Sequence, residues 1–310
     1  MSRKESAWVR LIAWSITAAA LFVILMLGLT GHFHWINIGF NNSFIYAESG
    51  KYQAGPGEIS GNQVDELDIN WIDGNIKIQV YDGSTVQFSE KSSKKLKESE
   101  RLHYYNKNGR LIIQYQKAQR NLLSFGGSKN KELTIMLPEK TAEKMKYVGV
   151  DTVSGDTQMT GIRAEQIELD STSGDFELTD CKSKKLEMDS TSGTLTGRSL
   201  EASEKLETDT TSGSVKVEGR FAGIDSDTVS GDVEVESSIC PDKVTTDSTS
   251  GSVLLIIPDN DGFEYKRDSV SGSFKCDFEV SQDEDRGEYK NGRASFRFDS
   301  VSGSVTIRKK

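Results

Sequence analysis

One pentapeptide recurs eight times along the chain, and it constrains the fold more than any other feature. The copies are DTVSG 151–155, DSTSG 170–174, DSTSG 189–193, DTTSG 209–213, DTVSG 227–231, DSTSG 247–251, DSVSG 268–272 and DSVSG 299–303. Successive glycines are separated by 19, 19, 20, 18, 20, 21 and 31 residues. A period near 20 residues is typical of a solenoid, in which each repeat buries its apolar edge against its neighbours.

Apolar residues flank each pentapeptide at alternate positions, which indicates β-strands with one buried face. Two residues after the glycine stand Thr157, Phe176, Leu195, Val215, Val233, Val253, Phe274 and Val305, and seven before it stand Val148, Ile167, Leu186, Leu206, Ile224, Val244, Tyr265 and Phe296. Before the glycine, the buried positions lie an odd number of residues away from it; after the glycine, they lie an even number of residues away. Such a change needs a bend or bulge, and glycine tolerates the backbone angles of a bend. Each repeat, here called a rung, is therefore predicted as strand, corner, strand and short polar return.

The first and last residues of the pentapeptides are predicted to form a structural ladder of corners that performs no chemistry. Its members are Asp151, Gly155, Asp170, Gly174, Asp189, Gly193, Asp209, Gly213, Asp227, Gly231, Asp247, Gly251, Asp268, Gly272, Asp299 and Gly303. Stacked aspartates repel one another, so each carboxylate is expected to accept hydrogen bonds from backbone N–H groups of its own corner. Ser and Thr hydroxyls are expected to bond neighbouring rungs. A row of divalent-cation sites is the alternative, although the glycine-rich nonapeptide of calcium-binding solenoids does not occur.

An uncharged stretch of nineteen residues, 11–29, precedes the repeats and has the length of a membrane-spanning helix. Arg3, Lys4 and Arg10 come before it, and no Lys or Arg follows until Lys51. The positive-inside rule therefore places the N-terminus in the cytoplasm and residues 31–310 outside the membrane. A cleaved signal peptide is the alternative, but the apolar stretch is long for one and no small-x-small cleavage site follows it closely.

Five segments are predicted along the chain: a cytoplasmic tail 1–10, a transmembrane signal anchor 11–30, a juxtamembrane linker 31–63, irregular β rungs or a cap 64–147, and a regular β-solenoid 148–310. Around Gly74 the rung pattern occurs without the pentapeptide, which indicates a degenerate first rung. The charged segment 91–102 is predicted as one short helix or a solvated loop. Asn108-Gly109 predicts a β-hairpin. The 31-residue step is predicted to hold a polar insertion or hairpin that shields the last rung.

Composition and charge exclude several function classes. The net charge is -9, and residues 1–10 hold three basic and one acidic residue, so the remainder carries about -11. Such a chain does not suit nucleic acid, but it attracts cations and cationic peptides. Three cysteines give no metal spacing and no even disulfide set, and His32, His34 and His103 all precede the regular rungs. Because G-x-S-x-G, H-E-x-x-H and a phosphate-cradling loop do not occur, no catalytic, metal or cofactor site is predicted.

The pentapeptides stepping by about 20 residues, together with the lead-in LDINWIDGNIKIQV and its W-x-x-G turn, resemble the bacterial "putative adhesin" β-strand-repeat family. The resemblance covers about residues 60–310. With a membrane anchor in front, the chain is similar to LiaG-type proteins of Gram-positive bacteria, which are associated with the envelope-stress response. The related GIN-type domains are right-handed parallel β-helices, so the resemblance implies that fold and handedness. The family has no agreed functional residues to carry over.

The predicted fold is all-β: a parallel β-helix or solenoid of about 20-residue rungs behind one N-terminal transmembrane helix. Enzymes with this fold break their regularity to build a cleft with clustered carboxylates, whereas these repeats are even. The predicted function is therefore a non-catalytic, single-pass binding or scaffolding protein outside the cell membrane. Wall polymers, cationic peptides and envelope proteins are the expected partners. The alternatives are a regulator of a membrane sensor system and a polysaccharide-processing enzyme.

Overall fold

A computed structural model describes residues 44–119, 130–283 and 285–310, and the regular secondary structure of these residues is almost entirely β. The chain divides into two compact units between Asp175 and Phe176, here called the N-terminal unit (44–175) and the C-terminal unit (176–310). The stretch predicted to cross the membrane lies outside the described residues. Within the described ranges, no helix is both long enough and apolar enough to span a bilayer.

The N-terminal unit contains eleven strands and one short helix in its described residues. The strands are β1 Gln53–Ala54, β2 Gly57–Ser60, β3 Glu66–Asp73, β4 Ile76–Tyr81, β5 Thr85–Lys91, β6 His103–Lys107, β7 Arg110–Gln114, β8 Glu132–Pro138, β9 Met145–Ser154, β10 Thr157–Thr160 and β11 Arg163–Ser171. Helix α1 spans Glu139–Ala142, and 3-10 turns span Ser49–Lys51, Gly61–Gln63 and Glu98–Glu100. The charged segment 91–102 thus holds one 3-10 turn and otherwise lacks a helix.

Two rows of strands build the N-terminal unit. One row runs β1, β6, β7, β3, β9, β11, and the other runs β2, β5, β8, β4, β10. Strands β3 and β4 meet at Gly74, which has φ 92°, and they pair in parallel register with β9 and β10. The predicted degenerate first rung is therefore confirmed. The predicted hairpin joins β6 to β7, with φ 53° at Asn108 and 92° at Gly109.

The C-terminal unit contains fourteen strands in its described residues. They are β12 Phe176–Thr179, β13 Lys182–Ser190, β14 Leu195–Thr210, β15 Val215–Phe221, β16 Gly223–Thr228, β17 Val233–Ser237, β18 Lys243–Ser248, β19 Val253–Ile257, β20 Gly262–Ser269, β21 Phe274–Cys276, β22 Ser281–Asp283, β23 Arg286–Lys290, β24 Ala294–Ser300 and β25 Val305–Lys309. One row runs β13, β14, β16, β18, β24, β20, β23, β22. The other runs β12, β14, β15, β17, β19, β25, β21. Strand β14 belongs to both rows, because it continues through the segment 196–204, which the repeat pattern predicts as a short polar return, and its register shifts between Gly197 and Leu200.

The last two rungs stack out of chain order. Strand β24 lies between β18 and β20, and β25 lies between β19 and β21. The rung at 299–303 is therefore inserted between the rungs at 247–251 and 268–272. The hairpin β22–β23 pairs antiparallel with β20, so the insertion covers the rung at 268–272 instead of the final rung in sequence. The pentapeptides at 268–272 and 299–303 have the same sequence, so the pattern does not decide which of them lies next to the rung at 247–251.

The core of the C-terminal unit consists of side chains that stack in register. Leu206, Ile224, Val244, Phe296 and Tyr265 follow one another along one row and are each at most 4% exposed. Burying such an apolar side chain contributes roughly 1.5–3 kcal/mol. At one pair of inward polar positions, the buried Thr208 and Ser226 hydroxyls lie 2.7 Å apart and form a hydrogen bond. The alternation predicted from the sequence therefore defines the inside and outside of each strand.

Candidate functional site

The second residue of the pentapeptide stabilises the corner. Its hydroxyl oxygen accepts a hydrogen bond from the glycine N–H at 2.7, 2.8 and 2.9 Å in three corners: Ser171 to Gly174, Ser190 to Gly193 and Thr228 to Gly231. At another corner Ser248 Oγ donates to the Gly251 carbonyl at 2.7 Å. In the three corners where the glycine N–H is bonded in this way, its acceptor is the second residue and not the predicted aspartate, which lies one position earlier on the more exposed face of the strand.

The fourth residue joins each corner to the neighbouring corner. Its serine hydroxyl donates at 3.1–3.2 Å to the carbonyl of the third residue in the adjacent pentapeptide: Ser173 to Val153, Ser212 to Thr191, Ser230 to Thr211, Ser250 to Val229 and Ser302 to Thr249. The backbone N–H of the same serine donates to the same carbonyl at 2.9–3.0 Å. The predicted bonding of hydroxyls between rungs therefore occurs at the corners.

The glycines lie in file within each unit. A Cβ on Gly174 would collide with the Gly155 carbonyl, and one on Gly231 would collide with the Gly213 carbonyl. In five further pairs a Cβ on the first glycine would collide with the carbonyl of the second: Gly155 and Gly74, Gly213 and Gly193, Gly251 and Gly231, Gly303 and Gly251, and Gly272 and Gly303. Most of these glycines have ordinary negative φ values, so glycine is needed for space and not for an unusual backbone angle.

The pentapeptide aspartates also form a file in each unit. Asp151 is in register with Asp170 in the N-terminal unit. In the C-terminal unit the spatial order is Asp189, Asp209, Asp227, Asp247, Asp299, Asp268. Neighbouring strands are about 4.8 Å apart, so like charges stand directly opposite one another, an arrangement that is destabilising.

The electrostatic cost of this file shows in its pKa values. Burial, followed by the negative charges of Glu207 and Asp225, raises the pKa of Asp209 to about 6. Burial, followed by the charges of the neighbouring aspartates, raises the pKa of Asp227 and of Asp247 to about 6 as well. These carboxylates are therefore mostly ionised at neutral pH, but the folded state resists that ionisation.

A second acidic column runs beside the aspartates. Glu187, Glu207 and Asp225 are in register two positions earlier on β13, β14 and β16. Lys205 bridges two of them, at 2.9 Å from Glu207 and 2.7 Å from Asp225. We call the outer surface that both columns form the acidic face; it comprises Glu187, Asp189, Glu207, Asp209, Asp225, Asp227 and Asp247. Sequence analysis missed the second column, although an acidic residue six before the glycine in four consecutive repeats signals it.

A separate polar cluster lies on the outer side of β3, β7 and β9 in the N-terminal unit. Asp68 is 2% exposed and accepts hydrogen bonds from Arg110 Nη2 at 2.6 Å and Nε at 3.1 Å. Asn70 Nδ2 donates to the other Asp68 oxygen at 2.9 Å. The Arg110 guanidinium lies 5.3 Å from the centre of the Tyr147 ring. The arginine thus compensates a buried carboxylate that sequence analysis did not single out, because Asp68 and Arg110 come from separate segments.

Asp151 joins this cluster, since its carboxylate interacts with those of Asp68 and Asp170. Burial, followed by the negative charge of Asp68, raises its pKa to about 7, while a hydrogen bond with Asp170 acts in the opposite direction. Burial also raises the pKa of Asp68, against the opposing effect of Arg110. The cluster can hold a proton near neutral pH. A ligand could reach Asp68 only by displacing the residues that cover it.

A buried lysine occupies the core of the N-terminal unit. Lys131 is 0% exposed, and its Nζ lies 2.6 Å from Glu90 Oε2. The same ammonium donates to the carbonyls of Glu100, at 2.9 Å, and Tyr115, and it lies over the rings of Tyr115 and Trp71 at 4.1 and 4.9 Å. Lys131 and Glu90 therefore form a buried structural ion pair, and no sequence motif predicts it.

The remaining candidates are the histidines and the cysteines. His103 is 5% exposed, donates from Nδ1 to the Arg101 carbonyl at 2.9 Å, and has a pKa lowered by burial. His32 and His34 lie outside the described residues. Cys181, Cys240 and Cys276 are free thiols. Within the described parts of the chain, no group of three or more His, Cys, Asp or Glu residues is arranged to hold a metal ion.

Several solved structures resemble the chain. A "putative adhesin" from Bacteroides fragilis NCTC 9343 is 11% identical, with 83% of this chain and 97% of that chain covered and a TM-score of 0.46. A "putative adhesin" from Parabacteroides distasonis ATCC 8503 is 17% identical, with coverages of 83% and 98% and a TM-score of 0.47. A "putative lipid binding protein" from the same organism is 17% identical, with coverages of 84% and 96% and a TM-score of 0.48. No curated protein matches the chain.

The family assignment comes from the sequence match that spans both units. Residues 62–308 match the family described as Toastrack DUF4097. This range contains the degenerate first rung, all eight pentapeptides and both acidic columns. The resemblance to a β-strand-repeat family is thereby confirmed, and the chain belongs to the Toastrack DUF4097 family.

Proposed function

We propose that this protein is a membrane-anchored, extracytoplasmic β-solenoid of right-handed coil that binds extended cationic ligands along its acidic face and performs no catalysis. It acts in this proposal as a binding or scaffolding protein of the bacterial envelope, with a role in the envelope-stress response. Its ligands are cationic peptides, amine-bearing wall polymers or basic segments of envelope proteins.

The observation that carries the proposal is the pair of in-register carboxylate columns on β13, β14, β16 and β18. Their carboxylates repeat at the strand spacing of about 4.8 Å. One exposed ion pair contributes only about 0.2–1 kcal/mol, so a single cation binds weakly, whereas a ligand with repeated positive charges gains several pairs at once. The raised pKa values of Asp209, Asp227 and Asp247 support the same proposal, because a bound cation relieves the repulsion that, after burial, raises them.

The absence of catalysis is proposed from the roles of the pentapeptide residues. The second and fourth residues are engaged in backbone hydrogen bonds at the corners, as Thr228 and Ser230 show. The outward aspartates are evenly spaced, so the acidic face has no pair of carboxylates set apart by distinct environments, as acid–base catalysis requires.

Membrane anchoring is proposed from the uncharged stretch 11–29 and the basic residues before it. Protease added to intact cells is expected to digest the repeats while a tag at the N-terminus stays protected. Release of the repeats into the medium would contradict the anchor and favour a cleaved signal peptide.

Binding is tested with fluorescent decalysine and the full-length chain in an uncharged detergent at low salt and near neutral pH. The triple variant Asp209→Asn, Asp227→Asn, Asp247→Asn is expected to bind at least about tenfold more weakly than wild type. The matched control is Glu218→Gln, Asp261→Asn, Glu279→Gln, which removes the same charge from exposed positions elsewhere in the C-terminal unit.

The two triple variants separate binding at the acidic face from attraction to net charge. The control triple is expected to keep affinity within about twofold of wild type. An equal loss of decalysine affinity in both triple variants would mean that binding depends only on net charge, and it would overturn the proposal. So would wild-type affinity in the triple variant of the acidic face.

A further inference from the structure

A groove of about 650 Å³ opens on the outer face of the C-terminal unit, where the hairpin β22–β23 extends the sheet beyond β20. The 31-residue step between the last two pentapeptides supplies this hairpin. The groove therefore lies where the repeats depart most from their period. A Cβ at Gly287 would collide with the Tyr265 ring, so glycine there allows the hairpin to pack against β20.

Three basic residues stand side by side in the groove on neighbouring strands. Lys266 is in register with Arg297 on β24 and with Arg286 on β23, and all three side chains are exposed. Arg297 is partly neutralised by Asp299, with Nη2 and Nε at 2.6 and 2.7 Å from Oδ2. Lys266 and Arg286 form no ion pair within the described residues. Like charges directly opposite destabilise a sheet, so this basic row favours a bound anion.

An acidic pair stands beside the basic row. Glu264 is in register with Glu288, and both side chains are exposed and line the groove. Their positions are two residues from Lys266 and Arg286 along the same strands, which is about 7 Å. The described structure contains no ion pair between the two rows. The groove thus presents two like-charged rows of opposite sign with no ion pair between them, and a further carboxylate, Asp283 on β22, lines the groove in register with Arg286.

We propose that this groove binds a zwitterion that carries a phosphate and a primary amine, as phosphoethanolamine does. The phosphate is held by Lys266 and the guanidinium of Arg286, because Arg and Lys are the side chains that bind phosphate oxygens with charge-assisted hydrogen bonds. The ammonium, with three N–H donors, is held between the carboxylates of Glu264 and Glu288. A simple anion or a simple amine satisfies only one row. This site is independent of cationic-ligand binding at the acidic face.

The test is calorimetric titration of the full-length chain, in an uncharged detergent, with O-phosphoethanolamine. Phosphoethanolamine is expected to bind at least about tenfold more tightly than inorganic phosphate or ethanolamine alone, because each of those engages one row. The double variants Lys266→Gln, Arg286→Gln and Glu264→Gln, Glu288→Gln are each expected to lose at least about tenfold in affinity. The matched controls Lys216→Gln, Arg308→Gln and Glu218→Gln, Glu279→Gln change exposed residues outside the groove and are expected to keep wild-type affinity.

The source of the group is distinguished by repeating the titration in micelles doped with phosphatidylethanolamine. Competition by the doped micelles assigns the groove to a lipid headgroup, and lack of competition assigns it to a soluble or polymer-borne phosphate and amine. Equal affinity for phosphoethanolamine and inorganic phosphate would overturn the proposal. Wild-type affinity in either groove variant, or an equal loss in the controls, would overturn it as well.

Discussion

The two units stabilise themselves in different ways. Corners of the C-terminal unit repeat the same few bonds, such as those of Thr228 and Ser230, so the stabilising energy is spread over equivalent positions. In the N-terminal unit, single residues such as Lys131 and Arg110 hold several unique partners. Repetition stacks like charges in file, whereas the irregular unit can place a compensating arginine beside Asp68. Single side chains are therefore expected to contribute more to the free energy of unfolding in the N-terminal unit than in the C-terminal unit.

The largest effect is expected from Lys131→Met in the N-terminal unit. The variant leaves Glu90 buried without its cation, and breaking a buried pair in this way costs about 3–5 kcal/mol. Urea unfolding monitored by circular dichroism measures the loss. The double variant Lys131→Met, Glu90→Gln serves as the control and should recover much of the stability, because it removes the uncompensated charge. A loss below about 1 kcal/mol in the single variant would contradict the proposed difference between the units.

The next effect tests the close contact of glycines in the C-terminal unit. Gly231→Ala places a methyl group against the Gly213 carbonyl, and we expect a loss of about 2–3 kcal/mol in the free energy of unfolding. Gly50→Ala is the control, since nothing lies within 4 Å of a Cβ there. If both variants unfold at the same urea concentration, the corner tolerates a methyl group at this position and the close contact between the glycines is not required for stability.

A third prediction compares the two aspartate files through pH. Because the pKa of Asp151 is raised to about 7, its contribution to stability is full below about pH 4 and is lost as the pH rises to about 7. Asp151→Asn is expected to raise the free energy of unfolding by about 2 kcal/mol at pH 8 and to change it little at pH 4. Asp227, with a pKa of about 6, should show the same sign over a window that ends about one pH unit lower. Destabilisation by Asp151→Asn at pH 8 would contradict this assignment.

The smallest effect is expected from a single corner hydroxyl. Thr228→Val removes the acceptor of the Gly231 N–H and the bond with Thr210, for a loss of about 1 kcal/mol. Ser250→Ala, at an exposed corner position, is expected to cost less than about 0.5 kcal/mol. Thermal unfolding of both variants ranks them, and a larger loss for Ser250→Ala would reverse the assigned roles of the second and fourth residues.

Much of the fold could be predicted from the repeat alone. The period, the alternation and the glycines define the strands, the corners and the degenerate rung around Gly74. The order of the last rungs could not be predicted, because the pentapeptides at 268–272 and 299–303 are the same and either can pair with the rung at 247–251. Sequence also located the corner but not its acceptor, since Asp170 and Ser171 are both short oxygen-bearing side chains and only their inward or outward direction separates them.

Less of the candidate sites than of the fold could be predicted from the sequence. The aspartate column follows from the repeat, and the second column follows from a periodicity six residues before the glycine. The groove requires strands β24, β20 and β23 to be neighbours, which depends on the unpredicted stacking order. The cluster of Asp68 and Arg110 depends on the parallel pairing of β3 with β7, which joins segments about 40 residues apart.

We propose that the corner residues stabilise the coil while the outward carboxylates of the same rungs bind the cationic ligand. The most direct test is the decalysine affinity of Thr228→Val, measured where the variant is folded, beside that of the Asp209→Asn, Asp227→Asn, Asp247→Asn variant. We predict an affinity within about twofold of wild type for the corner variant and a loss of at least about tenfold for the carboxylate variant. A folded corner variant that no longer binds, or a carboxylate variant that binds as wild type does, would contradict the claim.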